Sequence, residues 1–343
     1  MDDNKKRTIS TKTLEIVKDK INPVILSSLP ARPEEILAFA QRRTAPVISK
    51  NIDSNLAKKM RAFRLSDEDY LITLFIAMAD VFYNKNKSNE KTASILLAQT
   101  GAGKTNLRTA LLQKYPNTVI INSDQYKKFR PDAEAILATD PTHFGALTGI
   151  DSYDHASNIM EFAALHGYDI LIECAPSLQQ GLIGVNLNAL KKLEYNTKFH
   201  VMAVGNLVSA LAIHLRYEHE LALGRSNGET KLTDLKRHNE SYLALEKIIE
   251  ELDPAEVMIY RRGTEKEGKK PINIQDESKK PIEILRGTRT ESNDEYIKTG
   301  AFIRDHKLIL ESMNHRRAPQ LQQEQLSEIY KMFMNFIEKS KEL

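Results

Sequence analysis

Residues 95–105 read ILLAQTGAGKT, an apolar run followed by small residues and glycines, then a lysine and a hydroxyl. An apolar strand that feeds a glycine turn and then a helix lets backbone N–H groups converge on phosphate oxygens at the positive end of that helix. On this reading Thr100, Gly101, Ala102, Gly103, Lys104, Thr105 and Asn106 form an ATP site. Lys104 reaches the β- and γ-phosphates, and Thr105 offers its hydroxyl to Mg²⁺. Ala98 stands where the G-x-x-x-x-G-K-[ST] pattern has its first glycine. Alanine permits the turn if its φ is negative, which leaves Gly101 and Gly103 to take the unusual dihedrals.

Three further sets of residues carry chemistry suited to a phosphoryl transfer. Asp124 follows the run Ile120-Ile121-Asn122-Ser123, and a carboxylate at a strand end can orient an acceptor hydroxyl and take its proton. The competing structural role is the N-cap of the helix beginning QYKKF, a position that favours aspartate. Arg216 and Arg225 are spaced for one on a helix and one on the loop after it, where guanidinium forks stabilise charge spreading over a transferring phosphoryl group. Glu173 ends the apolar run Ile170–Ile172, as the acidic residue of a Walker B strand does, and is a candidate to contact Mg²⁺ through water, to hold Asp124 in register or to accept a hydrogen bond from a substrate hydroxyl. His143, His155, His214, His219 and His238 form no zinc-ligand spacing with the single cysteine, Cys174, and read as ordinary surface or loop residues.

These residues need a scaffold that gathers them. From residue 93 to about 260 short apolar runs alternate with longer helical patterns, the signature of parallel βαβ units. The expected strands are 94–98, 118–122, 170–173, 199–204 and 257–260, giving an α/β fold with a parallel five-stranded sheet flanked by helices. Ligands in such sheets collect at the carboxyl ends of the strands, where Ala98, Asp124, Glu173 and Asn206 all fall. Residues 1–90 read as a helical region, in which Ser66 and Asp69 resemble a capping box opening a helix with Leu71, Leu74, Phe75, Met78, Ala79 and Phe82 on one face. The core is assigned to 91–265. Residues 266–343 read as a basic, turn-rich segment, in which pieces around Ile272–Ile274 and Ile282–Leu285 pair as edge strands, and then a helical end. After Ala318-Pro319 an amphipathic helix gathers Leu326, Ile329, Phe333, Phe336 and Ile337.

Composition narrows the classes. The 343 residues, 41% of them hydrophobic, suffice for a sizeable core. A formal charge of +3 with 28% charged residues and no long single-sign run argues against general nucleic-acid binding. One cysteine excludes an intramolecular disulfide framework. No N-terminal apolar h-region and no run of 18 apolar residues point to a cytoplasmic protein without a membrane span, delivery by a non-classical route aside. No N-K-x-D guanine signature supports a GTPase switch.

Taken in order, AQTGAGKT, INSDQYKKFRP, GYDILIECAPS, FHVMAVGN and HLRYEHELALGRSNG resemble the zeta toxin family of bacterial toxin–antitoxin systems over about residues 93–265. The resemblance implies a P-loop kinase that transfers the γ-phosphoryl of ATP to the 3′-hydroxyl of a UDP-activated amino sugar such as UDP-N-acetylglucosamine. It places Lys104 and Thr105 on ATP and Mg²⁺, Asp124 as the base, Glu173 on the sugar, and Arg216 and Arg225 around the phosphates. Two departures bear on the acceptor. Cys174-Ala175-Pro176-Ser177 replaces the family's Gly-Thr and following arginine, and Arg130-Pro131 replaces His-Pro after the base. Other acceptors of the same fold, a nicotinamide dinucleotide or a small antibiotic, therefore stay open. So does a non-catalytic nucleotide-binding module. The first 90 residues have no counterpart in the minimal toxin. A fused cis-inhibitor and a structural extension are the two readings, and a separate antitoxin is a further partner that the resemblance implies.

Overall fold

In the computed structural model, residues 9–40, 52–140, 143–177, 181–223, 232–264, 267 and 270–341 are described. In chain order the elements are α1 Thr11–Lys20, α2 Pro23–Ser27, α3 Pro33–Ala40, α4 Ser54–Ala62, α5 Asp67–Val81, β1 Thr92–Leu97, α6 Lys104–Lys114, β2 Val119–Ile121, α7 Ser123–Tyr126, α8 Ala133–Thr139, α9 Phe144–Leu165, β3 Ile170–Cys174, α10 Gly181–Lys192, β4 Asn196–Ala203, α11 Asn206–Ala222, α12 Leu235–Glu251, β5 Glu256–Arg261, β6 Ile272–Asn273, α13 Pro281–Lys298, α14 Ala301–His315 and α15 Gln320–Lys341. All five expected strands form, in a mostly parallel sheet of order β2-β3-β1-β4-β5-β6 flanked by helices.

The sheet has six strands rather than five because Ile272–Asn273 pairs antiparallel with β5, Tyr260 opposite Asn273 and Arg261 opposite Ile272. The other expected edge piece, Ile282–Leu285, is helix. Pro281 sits at the first helical position, Glu283 supplies a capping contact, and Ile284 and Leu285 are buried on the inner side of α13.

Contacts divide the chain into two compact units. Among the described residues, those from 9 to 92 and from 117 to 172 form the first, and those from 93 to 116, from 173 to 223 and from 232 to 341 the second. The first unit gathers around α9, a helix with apolar and polar residues alike buried, against which α3, α4, α5 and α7 pack. Ser66 caps α5 as its spacing implies, its Oγ accepting from Asp69 N at 3.1 Å. The apolar face of α5 is broader than an amphipathic stripe, since Tyr70, Thr73 and Ala77 are buried beside Leu71, Leu74, Phe75 and Met78. Phe162 of α9 meets Phe82 edge-on at 5.3 Å and Phe39 at 5.2 Å. The N-terminal helices thus share one hydrophobic interior with residues 117–172.

In the second unit β4 and β5 pair in parallel from Lys198–Glu256 to Ala203–Arg261. Interior parallel strands are buried on both faces, and Ala93, Ile95, Leu96 and Leu97 of β1 are each at or near zero exposure. The C-terminal helices build a core with α11: Leu207 and Leu211 pack with Phe302, Ile309, Met313, Leu326, Ile329 and Phe333. Phe336 and Ile337 line the same cluster, as the spacing after Pro319 predicts. Glu218 of α11 is locked by Arg316 at 2.6 Å and by the Ser312 hydroxyl at 2.8 Å. This packing fixes the rotation of α11 about its axis.

Candidate active site

The phosphate-loop segment adopts the backbone its glycines allow. Gly101 has φ +81° and Gly103 φ +96°, whereas Ala98 is fully buried and not among the positive-φ residues. A Cβ on Gly101 would lie 2.1 Å from the carbonyl oxygen of Ser209, so glycine is required there by space as well as by dihedral. Gly103 is the N-cap of α6, and no side chain caps that helix. Its N-terminal N–H groups and the positive end of its dipole are left for an anion.

The loop is anchored from behind by groups that its motif does not reveal. Gln99, fully buried, donates through Nε2 to Val204 O at 2.8 Å and to Ser209 Oγ at 3.3 Å. Ser209 Oγ also meets His238 Nε2 at 2.9 Å. Gly205, just before α11, packs against Asn293, whose Nδ2 donates to Asn206 Oδ1 at 2.8 Å. Asn206, expected at a strand end, is the first residue of α11.

Lys104 and Glu173 are brought to one place. Lys104 Nζ donates to the carbonyl oxygen of Cys174 at 3.4 Å, while Arg108, one turn further along α6, donates through Nη1 to Glu173 Oε2 at 2.9 Å. Residues four apart share a helix face, so α6 directs two cations at the carboxyl end of β3. The Glu173 side chain is 12% exposed and that of Arg108 20%. Burial pushes the Cys174 thiol up to about 11, and it stays protonated near neutral pH.

Thr105 and Asn106 are exposed in the first turn of α6. Arg216 is exposed on α11, seven residues beyond Ser209. That places it about 10 Å along the axis on nearly the same helix face. Arg225 lies outside the described residues. Asp124 belongs to the first unit, in the first turn of α7, with 72% of its side chain exposed and a contact to Lys127 at 2.5 Å. It is not the helix N-cap: Asn122 is, accepting from Asp124 N at 2.9 Å. The acidic side chain is therefore free of that structural duty.

Arg130, which stands where a histidine was expected from the resemblance, has a structural explanation. Its side chain is 2% exposed and donates to Asp151 at 3.0 Å, to both oxygens of Asp132 at 2.9 Å and to Phe63 O at 2.7 Å. The histidines need correction. His155, His214 and His238 are buried rather than superficial, because the helices carrying them are covered on more sides than their polar residues suggest. Among the described residues no group of three His, Cys, Asp or Glu side chains is arranged to hold a metal ion.

Sequence reading missed Arg108, Gln99, Ser209 and Arg262. The guanidinium of Arg262, just past β5, donates through Nη2 to Gly101 O at 2.6 Å. The i+4 spacing from Lys104 was the available signal for Arg108, and a position beyond a strand's carboxyl end was the signal for Arg262.

A mostly parallel sheet whose glycine loop opens the following helix defines this as a P-loop kinase-like α/β fold. The family model for zeta toxin matches residues 78–267, more than half of the chain, and the protein belongs to the zeta toxin family. It is 29% identical over 136 residues to Toxin zeta of Streptococcus agalactiae, covering 39% of this chain and 47% of that one. It is 28% identical over 150 residues to Toxin zeta of Streptococcus pyogenes, covering 41% and 49%. The matches thus span about half the length of these curated relatives. A solved structure from the PezAT chromosomal toxin–antitoxin system of Streptococcus pneumoniae superposes with a TM-score of 0.58 at 16% identity, over 73% of this chain and 98% of that chain. Among the described residues no helix is long and apolar enough to cross a membrane.

Proposed function

We propose that this protein is an ATP-dependent small-molecule kinase of the zeta type, transferring the γ-phosphoryl group to a hydroxyl of a nucleotide sugar such as UDP-N-acetylglucosamine. The observation that carries the reading is the uncapped start of α6 behind a two-glycine loop, with Lys104 beside the carboxyl end of β3. At 3.4 Å the Lys104 bond to a neutral carbonyl is weak, and a phosphate oxygen is a stronger acceptor for the same ammonium. The exposed hydroxyl of Thr105 suits Mg²⁺, which needs few protein ligands when phosphates supply the rest. That ion would neutralise charge on the transferred group. Asp124 would hold the acceptor hydroxyl and take its proton, and Arg216 with Arg225 would stabilise the spreading phosphoryl charge.

A specific observation favours a second acceptor class within the same reaction. Glu173 is already paired with Arg108, so its carboxylate is partly neutralised where the resemblance assigns sugar binding. Together with the Cys174-Ala175-Pro176-Ser177 sequence, this supports an acceptor other than the amino sugar, such as a nicotinamide dinucleotide or a small antibiotic. Incubating the purified chain with ATP, Mg²⁺ and a metabolite extract, then finding by mass spectrometry the species heavier by one phosphoryl group, names the acceptor. A nucleotide-binding module without catalysis predicts no such species and identical results for Asp124→Ala.

The PezAT structure comes from a toxin–antitoxin system, which supports a proteinaceous antitoxin for this chain as well. For the N-terminal helices, an inhibitory role is best tested by surface changes on α1 to α4 and a growth assay. Deleting residues 1–88 would strip Phe162 of Phe39 and Phe82 and unfold the unit for reasons unrelated to inhibition.

A further inference from the structure

The groups that hold Arg262 and the groups it holds point to a role at the phosphate loop. Its Nη2 donates to Gly101 O at 2.6 Å, and a Cβ placed on Gly103 would stand 3.8 Å from its Nε and 3.9 Å from its Nη2. The guanidinium therefore lies over the two glycines whose dihedrals shape the loop. The N–H on the other side of the same peptide, that of Ala102, donates to Gln99 O at 3.2 Å. The Gly101–Ala102 peptide is thus fixed at both poles, its carbonyl by a cation and its N–H by a turn.

Arg262 is itself fixed. The adjacent Arg261 grips Glu267 with two bonds of 2.8 and 2.5 Å, and the Thr264 N–H and hydroxyl donate to the same carboxylate at 2.8 and 3.0 Å. Gly263 is buried where a Cβ would meet Lys270 O at 2.1 Å, so the backbone at Lys270 lies close against the chain straight after Arg262. Glu267 is engaged by Arg261 and Thr264, while Arg262 donates to a neutral carbonyl. The charge of Arg262 therefore adds to the local field instead of being cancelled by that carboxylate.

With its carbonyl held by a guanidinium and its N–H held by a turn, the Gly101–Ala102 peptide has a fixed orientation, and successive backbone N–H groups held in a fixed turn are what an anion-binding loop needs. We propose that Arg262 is the positioning residue of the phosphate loop: it locks the Gly101–Ala102 peptide in the anion-binding conformation and raises affinity for polyphosphate through its charge. The inference deepens the reading of this loop as a triphosphate site and rests on it.

Calorimetric titration of the full chain with ATP and, separately, with inorganic tripolyphosphate tests it, using wild type, Arg262→Gln, Arg262→Lys and Lys104→Ala. Arg262→Gln should weaken both ligands by about tenfold, the scale of one charge-assisted hydrogen bond, with thermal melting unchanged. Arg262→Lys should lie between it and wild type, because the charge is kept and the planar fork is lost. Wild-type affinity for tripolyphosphate in Arg262→Gln, with Lys104→Ala weakened, overturns the positioning role and leaves the loop reading intact. A loss confined to ATP also overturns it, since the residue would then act on the nucleobase. Wild type that binds neither ligand removes the triphosphate reading and this inference together.

Discussion

Two arginine-rich regions, one in each unit, use the same side chain for opposite purposes. Around Asp151 of α9, Arg64 and Arg130 meet a buried carboxylate: Arg64 Nε lies 3.1 Å from Oδ1 and Arg130 Nη1 lies 3.0 Å from Oδ2, while the Leu65 N–H adds a third bond at 3.0 Å. Arg64 also reaches Asp154 at 2.9 Å. Charges there are matched inside a closed interior. Beside the glycine loop Lys104 donates to the Cys174 carbonyl and Arg262 to the Gly101 carbonyl. Matched burial makes a region rigid and inert. A guanidinium that donates to a neutral carbonyl, as that of Arg262 does, fixes backbone without pairing charge with charge.

The sharpest way to break the contrast is in the buried cluster. Asp151→Ala should destabilise the protein by about 3 kcal/mol, because the buried Arg130 is left with Asp132, Arg64 is left with Asp154, and the Leu65 N–H loses its acceptor. Urea denaturation measures this, and a loss below about 1 kcal/mol would show the cluster to be solvated. Lys104→Ala should do the reverse. Turnover of ATP should fall on the order of 10²- to 10³-fold, as for loss of a group that stabilises transition-state charge, with the urea midpoint unmoved.

The third prediction concerns pH. Burial pushes His200, 1% exposed and bonded to Ser94 Oγ and Tyr260 OH, down to about 4 from an ordinary value of 6.5. The unfolded chain then binds the extra proton between these values, so stability is fully present above about 6.5 and is lost as pH falls toward about 4. The contribution is on the order of 2–3 kcal/mol. His214, likewise pushed down to about 4 by burial, adds in the same direction. Denaturation midpoints from pH 4 to 7 should rise with pH, and His200→Gln should flatten that slope. An unchanged slope in the variant would assign the acid limb to other groups.

The smallest expected effect lies at Arg108. Arg108→Ala releases Glu173 and should change the acceptor KM by about three- to tenfold with little change in ATP affinity, the scale of one partly buried charged bond. Equal shifts for both substrates would place the pair on the nucleotide instead.

The legible parts were those in which local pattern and physics coincide. The strand–loop–helix around Gly101, the Ser66 cap and the final amphipathic helix each depend on residues within a few positions of one another, and each stands where the spacing places it. Ile282–Leu285 misled because a four-residue apolar run suits strand and helix equally, and Pro281 with Glu283 decided for helix. The buried histidines were read as superficial because burial is a property of what covers a residue.

The sequence alone determined that a phosphate loop exists, that its glycines are obligatory and that parallel strands stand beside it, since backbone dihedrals and apolar periodicity are local. Only the tertiary structure decided which groups brace that loop. Ser209, Gln99 and Arg262 come from three separate segments, and the distances between them are set by how β1, α11 and β5 pack, which no spacing along the chain encodes.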